Sequence, residues 1–362
     1  MISKRSQMVD ASGIRKVFDL AQKLECPINL SIGQPDFDVP EPVREAAKQA
    51  IDSGKNKYTV TQGIGELHER IRAEYRKKGY EAEGVLVTSG VSGGIALALL
   101  ALCDAGDEIL LPDPYFVMYK QLARLFGVTP RFIDTYPDFK LREEAVAPLI
   151  TGRTRAIVIN SPANPTGVSV SGEELRMVAS LARKNNLVIL FDEIYACFNY
   201  DSAHETITKY YDRVLVLNGF SKSHAMTGWR LGYALGPNDI IQEMTKLQQY
   251  TFVCAPSMVQ YAGVAAMDVP MQAANDAYRR KRDIIYNGLR GKFKVVKPDG
   301  AFYIFPEAPG GNGTEFCLKA VENNVLIIPG GVFSERDTHF RISFAATGDT
   351  LREGIEVLNR LA

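Results

Sequence analysis

Short, almost uninterrupted apolar runs recur along this chain, each followed by a turn and then an amphipathic stretch. That alternation is the pattern of an α/β protein. It predicts strands at Gly84 to Thr88, Glu108 to Leu111, Arg155 to Asn160, Leu187 to Phe191, Arg213 to Leu217 and Leu231 to Leu235. Most of these runs are apolar throughout rather than alternating, as expected of strands buried on both faces of a largely parallel sheet. Helices are predicted between them. In Ser171 to Asn185, Ser171 followed by Glu174 reads as a capping box, and Leu175, Val178, Ala179 and Leu181 form an apolar stripe.

At 362 residues the length suits a large domain with a smaller partner. From Met271 to Leu289 the pattern is a long, charge-rich helix, and beyond it come short strands at Phe302 to Phe305, Val325 to Ile328 and Phe340 to Phe344. We therefore expect a large α/β domain over 40–270, a mostly parallel sheet sandwiched by helices, and a smaller, discontinuous α+β domain built from 1–39 and 271–362. The Pro-rich segment IGQPDFDVPEP marks the crossing between them. A helix near Ala11 to Lys23 has no core of its own in this scheme.

Lys+Arg and Asp+Glu both number 42, so the formal net charge is zero and neither nucleic acid nor an anionic membrane is an expected partner. The N-terminus lacks the apolar core of a signal peptide, and the longest apolar run, Ile95 to Cys103, is shorter than the about 18 residues of a spanning helix. A cytoplasmic protein acting on small molecules is expected. Five scattered cysteines without CxxC spacing and four histidines without HxxxH point to no disulfide frame and no metal.

In open α/β sheets ligands bind at the carboxyl ends of the strands. Ser89-Gly90-Val91-Ser92-Gly93-Gly94 follows the first predicted strand and opens a helix, so its backbone N–H groups and the helix dipole suit a phosphate. Other strand ends carry Asn164 in SPANPTG, Asp192 and Tyr195 in FDEIY, and Lys222 in NGFSK, with Arg230 eight residues further on. An amine, a carboxylate, a phenol, an amide and a guanidinium at neighbouring strand ends are what pyridoxal phosphate chemistry asks for.

The sequence resembles the fold-type I, class I/II aminotransferases, the prokaryotic aspartate and aromatic enzymes above all. The likeness runs from INLSIGQPDFDVP through KYTVTQGIGELHERI, VTSGVSGGIALALLAL, DAGDEILLPDPYF, NSPANPTG, FDEIY and NGFSKSHAMTGWRLGYALG to GAFYIFP and FRISFA. It implies pyridoxal 5'-phosphate as cofactor, with Lys222 as the Schiff-base lysine and proton carrier. Asp192 would pair with the pyridine nitrogen, while Tyr195 and Asn164 would donate to the ring's 3-oxygen and Phe116 would stack on the ring. Gly90, Val91 and Ser92 would cradle the phosphate with Arg230 as its charged clamp. Arg341 would grip the substrate α-carboxylate bidentately, near Gly33 and Asn164. Tyr58 would reach the phosphate of a neighbouring subunit, which implies a homodimer with shared sites. The reaction implied is amino transfer from an L-amino acid, aspartate or aromatic, to a 2-oxo acid such as 2-oxoglutarate.

The chain departs from the family pattern at Gly219, where many relatives carry a Ser or Thr, so that phosphate contact is either missing or supplied by Ser223 or a water. His224 is expected to be a packed or surface histidine. Two rival activities stay open at this point: a β-lyase of the same fold, and a serine hydrolase in which Ser92 of G-x-S-x-G serves as nucleophile with Asp192 and one of His204, His224 or His339.

Overall fold

The computed structural model describes residues 2–10 and 26–362, so the helix expected near Ala11 to Lys23 lies outside the described residues. The centre is a seven-stranded sheet made of β1 (Gly84–Ser89), β2 (Glu108–Asp113), β3 (Thr129–Asp134), β4 (Thr154–Asn160), β5 (Val188–Asp192), β6 (Val214–Gly219) and β7 (Leu231–Gly236). Their order across the sheet is β1-β7-β6-β5-β4-β2-β3. The run from β6 to β3 is parallel, whereas β7 pairs antiparallel with both β6 and β1. The strand β1 consequently points the same way as the parallel set, and β7 alone is reversed.

All six expected strands are present, shifted by a residue or two at their ends. The seventh, β3, was not expected from sequence. It is an edge strand, half exposed along most of its length, and it carries Pro130 and Arg131, so it lacks the apolar run of a buried strand. Apolar clusters cover the sheet on both faces: Ile157, Ile189 and Val216 pack on one side and Val158, Leu190 and Leu215 on the other. Burying one such side chain contributes about 1.5–3 kcal/mol, which is why continuous apolar runs mark these strands. The helix Gly172–Lys184 has its capping box, with Ser171 and Glu174 bonding reciprocally, and turns Leu175, Val178 and Ala182 onto the sheet.

The C-terminal part has its own core of Phe302, Phe316, Phe340, Phe344 and Leu351, joined by Leu30 from near the N-terminus. The expected strand Val325 to Ile328 is two pieces rather than one. Val325–Leu326 pairs parallel with Ile28–Asn29, and Ile328–Pro329 pairs antiparallel with Phe340 and Arg341. One apolar run thus serves two sheets, which periodicity alone does not reveal. The connecting turn after Pro35 is tied down by Asp36, which accepts from Tyr278 and lies against Lys281 of the helix Gln272–Leu289.

Candidate active site

The carboxyl ends of β1, β4, β5 and β6 open into one cavity of about 340 Å³. Because β7 runs backwards, Arg230, the residue before it, arrives at this same edge. Arg230 holds a left-handed backbone (φ 57°), and its Nη1 donates to the Thr227 carbonyl at 2.9 Å.

Lys222 follows β6 by a short turn and projects into the cavity, where its Nζ donates to the Gly33 carbonyl at 2.7 Å. Burial, reinforced by the Arg341 and Arg230 charges, brings its amine down to about 8, while the Asp192 charge opposes the shift. An amine so placed is a proton acceptor and nucleophile near neutral pH. Asp192 ends β5 and is buried. Its Oδ1 accepts the Ile194 N–H at 3.0 Å and its Oδ2 the Tyr119 hydroxyl at 2.6 Å. Burial pushes this carboxyl up to about 6, and the two hydrogen bonds hold it from rising further. Asn164 is positioned by the loop after β4, its N–H bonded to the Asn160 side chain at 2.8 Å.

Arg341 sits on Phe340–Ser343 and is 1% exposed. Its guanidinium lies between the Tyr303 and Phe333 rings, 4.6 Å from each centroid, and it donates to Asn164 Oδ1 at 3.1 Å and to the Ser31 carbonyl at 2.7 Å. Its Nε is buried without a partner. A buried guanidinium with a donor left over fits a carboxylate arriving from the cavity.

At the end of β1 the helix Gly90–Leu102 begins with no side-chain cap, so its first N–H groups, at Val91 and Ser92, face the cavity with the dipole behind them. Arg230 Nη2 stands 3.5 Å from Ser92 Oγ, and a Cβ on Gly90 would lie 2.5 Å from that same Nη2. Glycine at 90 is what lets the guanidinium close over the helix end. An uncapped helix N-terminus beside a guanidinium, a buried carboxylate, an amine and a spare arginine donor are together the donor set that pyridoxal 5'-phosphate and an amino acid need. The residues fit the group.

Of the residues singled out from sequence, Gly33, Val91, Ser92, Phe116, Asn164 and Asp192 line this cavity, as do Tyr195, Lys222, Arg230 and Arg341. Tyr58 does not; it is 84% exposed, outside the cavity of its own chain. Ser223 is not available to the cavity either, because its hydroxyl bonds to His224 Nδ1 at 2.7 Å and faces a separate hollow behind the Lys222 turn. Ser221 lines the cavity instead. His224 is packed, as expected. None of the histidines lines the cavity that holds Ser92: His204 bonds to Glu193, His224 to Ser223 and His339 to Thr338. The hydrolase arrangement is therefore absent.

Two tyrosines were missed. Tyr303, within the GAFYIFP motif, shares a 3.0 Å hydrogen bond with Tyr195 and covers Arg341. Tyr119 lies one helical turn after Phe116, and that spacing was the signal available for it.

A family model described as aminotransferase class I and II matches residues 26–358. A probable aspartate aminotransferase of Methanocaldococcus jannaschii is 39% identical, covering 100% of both chains. Aromatic-amino-acid aminotransferase 2 of Thermococcus litoralis is 35% identical over 99% of this chain and 98% of its own. Among solved structures, the aspartate aminotransferase of Thermus thermophilus with maleate superposes with a TM-score of 0.95 at 33% identity, covering 100% of both chains. With this sheet, this cavity and these relatives, the chain belongs to the class I and II aminotransferases, fold-type I enzymes that use pyridoxal 5'-phosphate to transfer amino groups.

Proposed function

We propose that this aminotransferase takes aspartate or an aromatic amino acid as donor and 2-oxoglutarate as acceptor, and that it works as a cytoplasmic homodimer. The observation that carries the assignment of roles is the meeting of Lys222, Asp192, Arg230 and Arg341 in one cavity from the end of β5, the link between β6 and β7, and a strand of the C-terminal part. When bound, pyridoxal 5'-phosphate supplies the electron sink that acidifies the substrate Cα–H and the carbonyl carbon that carries the amino group.

The chain supplies the rest. Lys222 Nζ binds the cofactor and later takes the proton from the substrate Cα and returns it; an amine near 8 serves both duties at neutral pH. Asp192 holds a proton on the pyridine nitrogen, and Tyr195 and Asn164 donate to the 3-oxygen. Phe116 covers one ring face. Gly90, Val91, Ser92 and Arg230 take the phosphate. Arg341 orients the substrate by its α-carboxylate beside Gly33 and Asn164.

Among the described residues Arg230 and Arg341 are the only arginines lining the cavity, so within them a second substrate carboxylate meets hydroxyl and amide groups, while Phe116 and Tyr303 suit an aromatic side chain. The relatives named for aspartate and for aromatic amino acids support both donors. Dimerisation is supported by Tyr58, which stands exposed and outside the cavity of its own chain, where it is free to reach a neighbouring subunit. The division at about residues 40 and 270 is supported by the cluster that joins Leu30 to Phe302, Phe316 and Phe340, against which Ile194, Phe198 and Tyr200 of the larger part also pack. No helix among the described residues is long and apolar enough to cross a membrane, which agrees with the cytoplasmic reading.

A single-turnover panel of the twenty amino acids with identification of the 2-oxo acids, run beside light scattering, tests all of this. Turnover of aspartate or of phenylalanine and tyrosine by a dimer is expected. Inactivity towards all of them, or a fully active monomer, refutes the corresponding part.

A further inference from the structure

Asp192 has a problem that its position in the FDEIY motif does not solve. It is 3% exposed, Glu193 follows it directly, and both the loss of water and that neighbouring charge favour its protonated form. A protonated carboxyl pairs poorly with a protonated pyridine. The groups that oppose protonation are the Ile194 N–H on Oδ1, the Tyr119 hydroxyl on Oδ2 at 2.6 Å, and the Lys222 charge across the cavity. The Ile194 donor is backbone, belonging to the turn after β5. Tyr119 is a side chain from another element, the helix Val117–Leu125, and its hydroxyl is the one donor to Oδ2 among the described residues.

Tyr119 has a second contact. Its ring meets Phe116 edge to face, 5.7 Å between centroids at 83°. Phe116 caps the start of the same helix and lines the cavity. One buried side chain therefore braces the carboxylate that meets the cofactor's nitrogen and the ring that covers the cofactor's face.

We propose that Tyr119 is a positioning residue acting through Asp192: its hydroxyl keeps the carboxylate ionised and fixed towards the cavity, and so sets how tightly, and over what pH range, the chain grips the pyridine nitrogen. This rests on the role given to Asp192 above. The ring and the hydroxyl are separable, because Tyr119→Phe keeps the packing on Phe116 and removes only the donor.

The experiment is equilibrium binding of pyridoxal 5'-phosphate to apoenzyme, read by quenching of Trp229, the chain's single tryptophan, which adjoins Arg230. Wild type, Tyr119→Phe, Asp192→Asn and the double variant are titrated at pH 6.5, 7.5 and 8.5, with a thermal melt of each. Loss of a hydrogen bond to a charged acceptor predicts an affinity about tenfold or more lower for Tyr119→Phe at pH 6.5, in a variant that still melts cooperatively and loses no more stability than one buried hydrogen bond accounts for. The deficit shrinks towards pH 8.5, where Asp192 ionises without help. In the Asp192→Asn background, Tyr119→Phe changes nothing further, and in the single variant kcat falls with little change in KM.

If Tyr119→Phe binds as wild type does at every pH while Asp192→Asn is impaired, the role of Tyr119 is overturned and that of Asp192 stands. An equal loss from Tyr119→Phe with and without Asp192 also overturns it, since the effect then does not pass through the carboxylate. Wild-type binding by Asp192→Asn removes the role of Asp192 and this proposal with it.

Discussion

Replacing Arg341 by lysine keeps a positive charge where we propose that the α-carboxylate binds and removes the fork. In the folded chain Nη1 and Nη2 already donate to Asn164 and Ser31, and the plane is held between Tyr303 and Phe333, so the guanidinium cannot swing. What it offers the cavity is its remaining N–H edge, including the unpartnered Nε. A lysine ammonium is a point charge on a flexible stem; it cannot satisfy Asn164, Ser31 and a carboxylate in the same geometry. The loss is about one charge-assisted hydrogen bond to the substrate, roughly 1.5–3 kcal/mol, or about 10- to 150-fold in kcat/KM. Since the α-carboxylate is common to every amino acid, the factor should be the same for aspartate, glutamate, phenylalanine and tyrosine. Single-turnover rates for the four, followed by cofactor absorbance after a melt has shown the variant folded, measure it. If the dicarboxylates alone suffer, Arg341 binds the side chain and the reasoning fails.

Capture of pyridoxal 5'-phosphate by apoenzyme should accelerate with rising pH, because the neutral amine is the reactive form of Lys222, and the midpoint should fall at about 8; a midpoint near the ordinary 10.5 would remove the role given to burial and to Arg341 and Arg230. Asp192→Ala should lose far more activity than Tyr195→Phe, whose missing neutral hydrogen bond is worth about 0.5–1.5 kcal/mol; equal losses in steady-state kcat would contradict the assigned roles. Gly219→Ser should lower the melting temperature and weaken cofactor retention, since a Cβ there would lie 2.8 Å from both Gly232 Cα and the Leu231 carbonyl, and such overpacking costs about 1–3 kcal/mol; tighter cofactor binding at an unchanged melting temperature would show that the site accepts the family's hydroxyl. The Asp201 carboxylate, held down to about 2 chiefly by its hydrogen bonds from Arg282, contributes stability that is present above the ordinary 3.8 and lost as pH falls through about 2. Asp201→Asn should therefore be less stable than wild type by about 1 kcal/mol or less near neutrality, its side chain being 42% exposed and screened, and the difference in denaturant midpoint should close as pH drops from 4 to 2; a constant difference would refute the linkage.

The sequence was most readable where burial acts on both faces at once. β1, β2, β4, β5, β6 and β7 lie in the interior of the sheet or against β7, and each is an apolar run because water reaches neither face. β3 escaped because it is an edge left half exposed, whereas β1, at the other edge, is buried and so keeps its apolar run. Among the candidate site residues, Lys222, Asp192 and Arg230 were legible from residue type and place at the ends of predicted strands, whereas Arg341 came with the family resemblance alone. Tyr119 and Tyr303 were not legible, since a tyrosine on an apolar helix or strand reads as core, and only the fold shows that their hydroxyls end on Asp192 and Tyr195. The fate of Ser223 was equally hidden: whether a residue next to the lysine turns into the cavity or away depends on the backbone of the turn between β6 and β7.

The reversal of β7 has a consequence for how this chain can vary. In a sheet parallel throughout, the groups that meet a cofactor come from connections separated by whole helices, and each connection can lengthen without disturbing the next. Here Lys222 and Arg230 stand at the two ends of one short link between neighbouring antiparallel strands whose register is fixed from Val216 to Gly219 against Gly232 to Leu235. The span between the amine and the guanidinium is thus a chain-length constant. A residue added or removed between Ser223 and Trp229 would displace the guanidinium from the helix end at Gly90, the amine from Asp192, or the strand pairing itself. Insertions and fusions should be accepted at the opposite margin of the sheet, around β3, and refused in this link, so that the segment from Gly219 to Leu231 behaves in evolution and in engineering as one indivisible part.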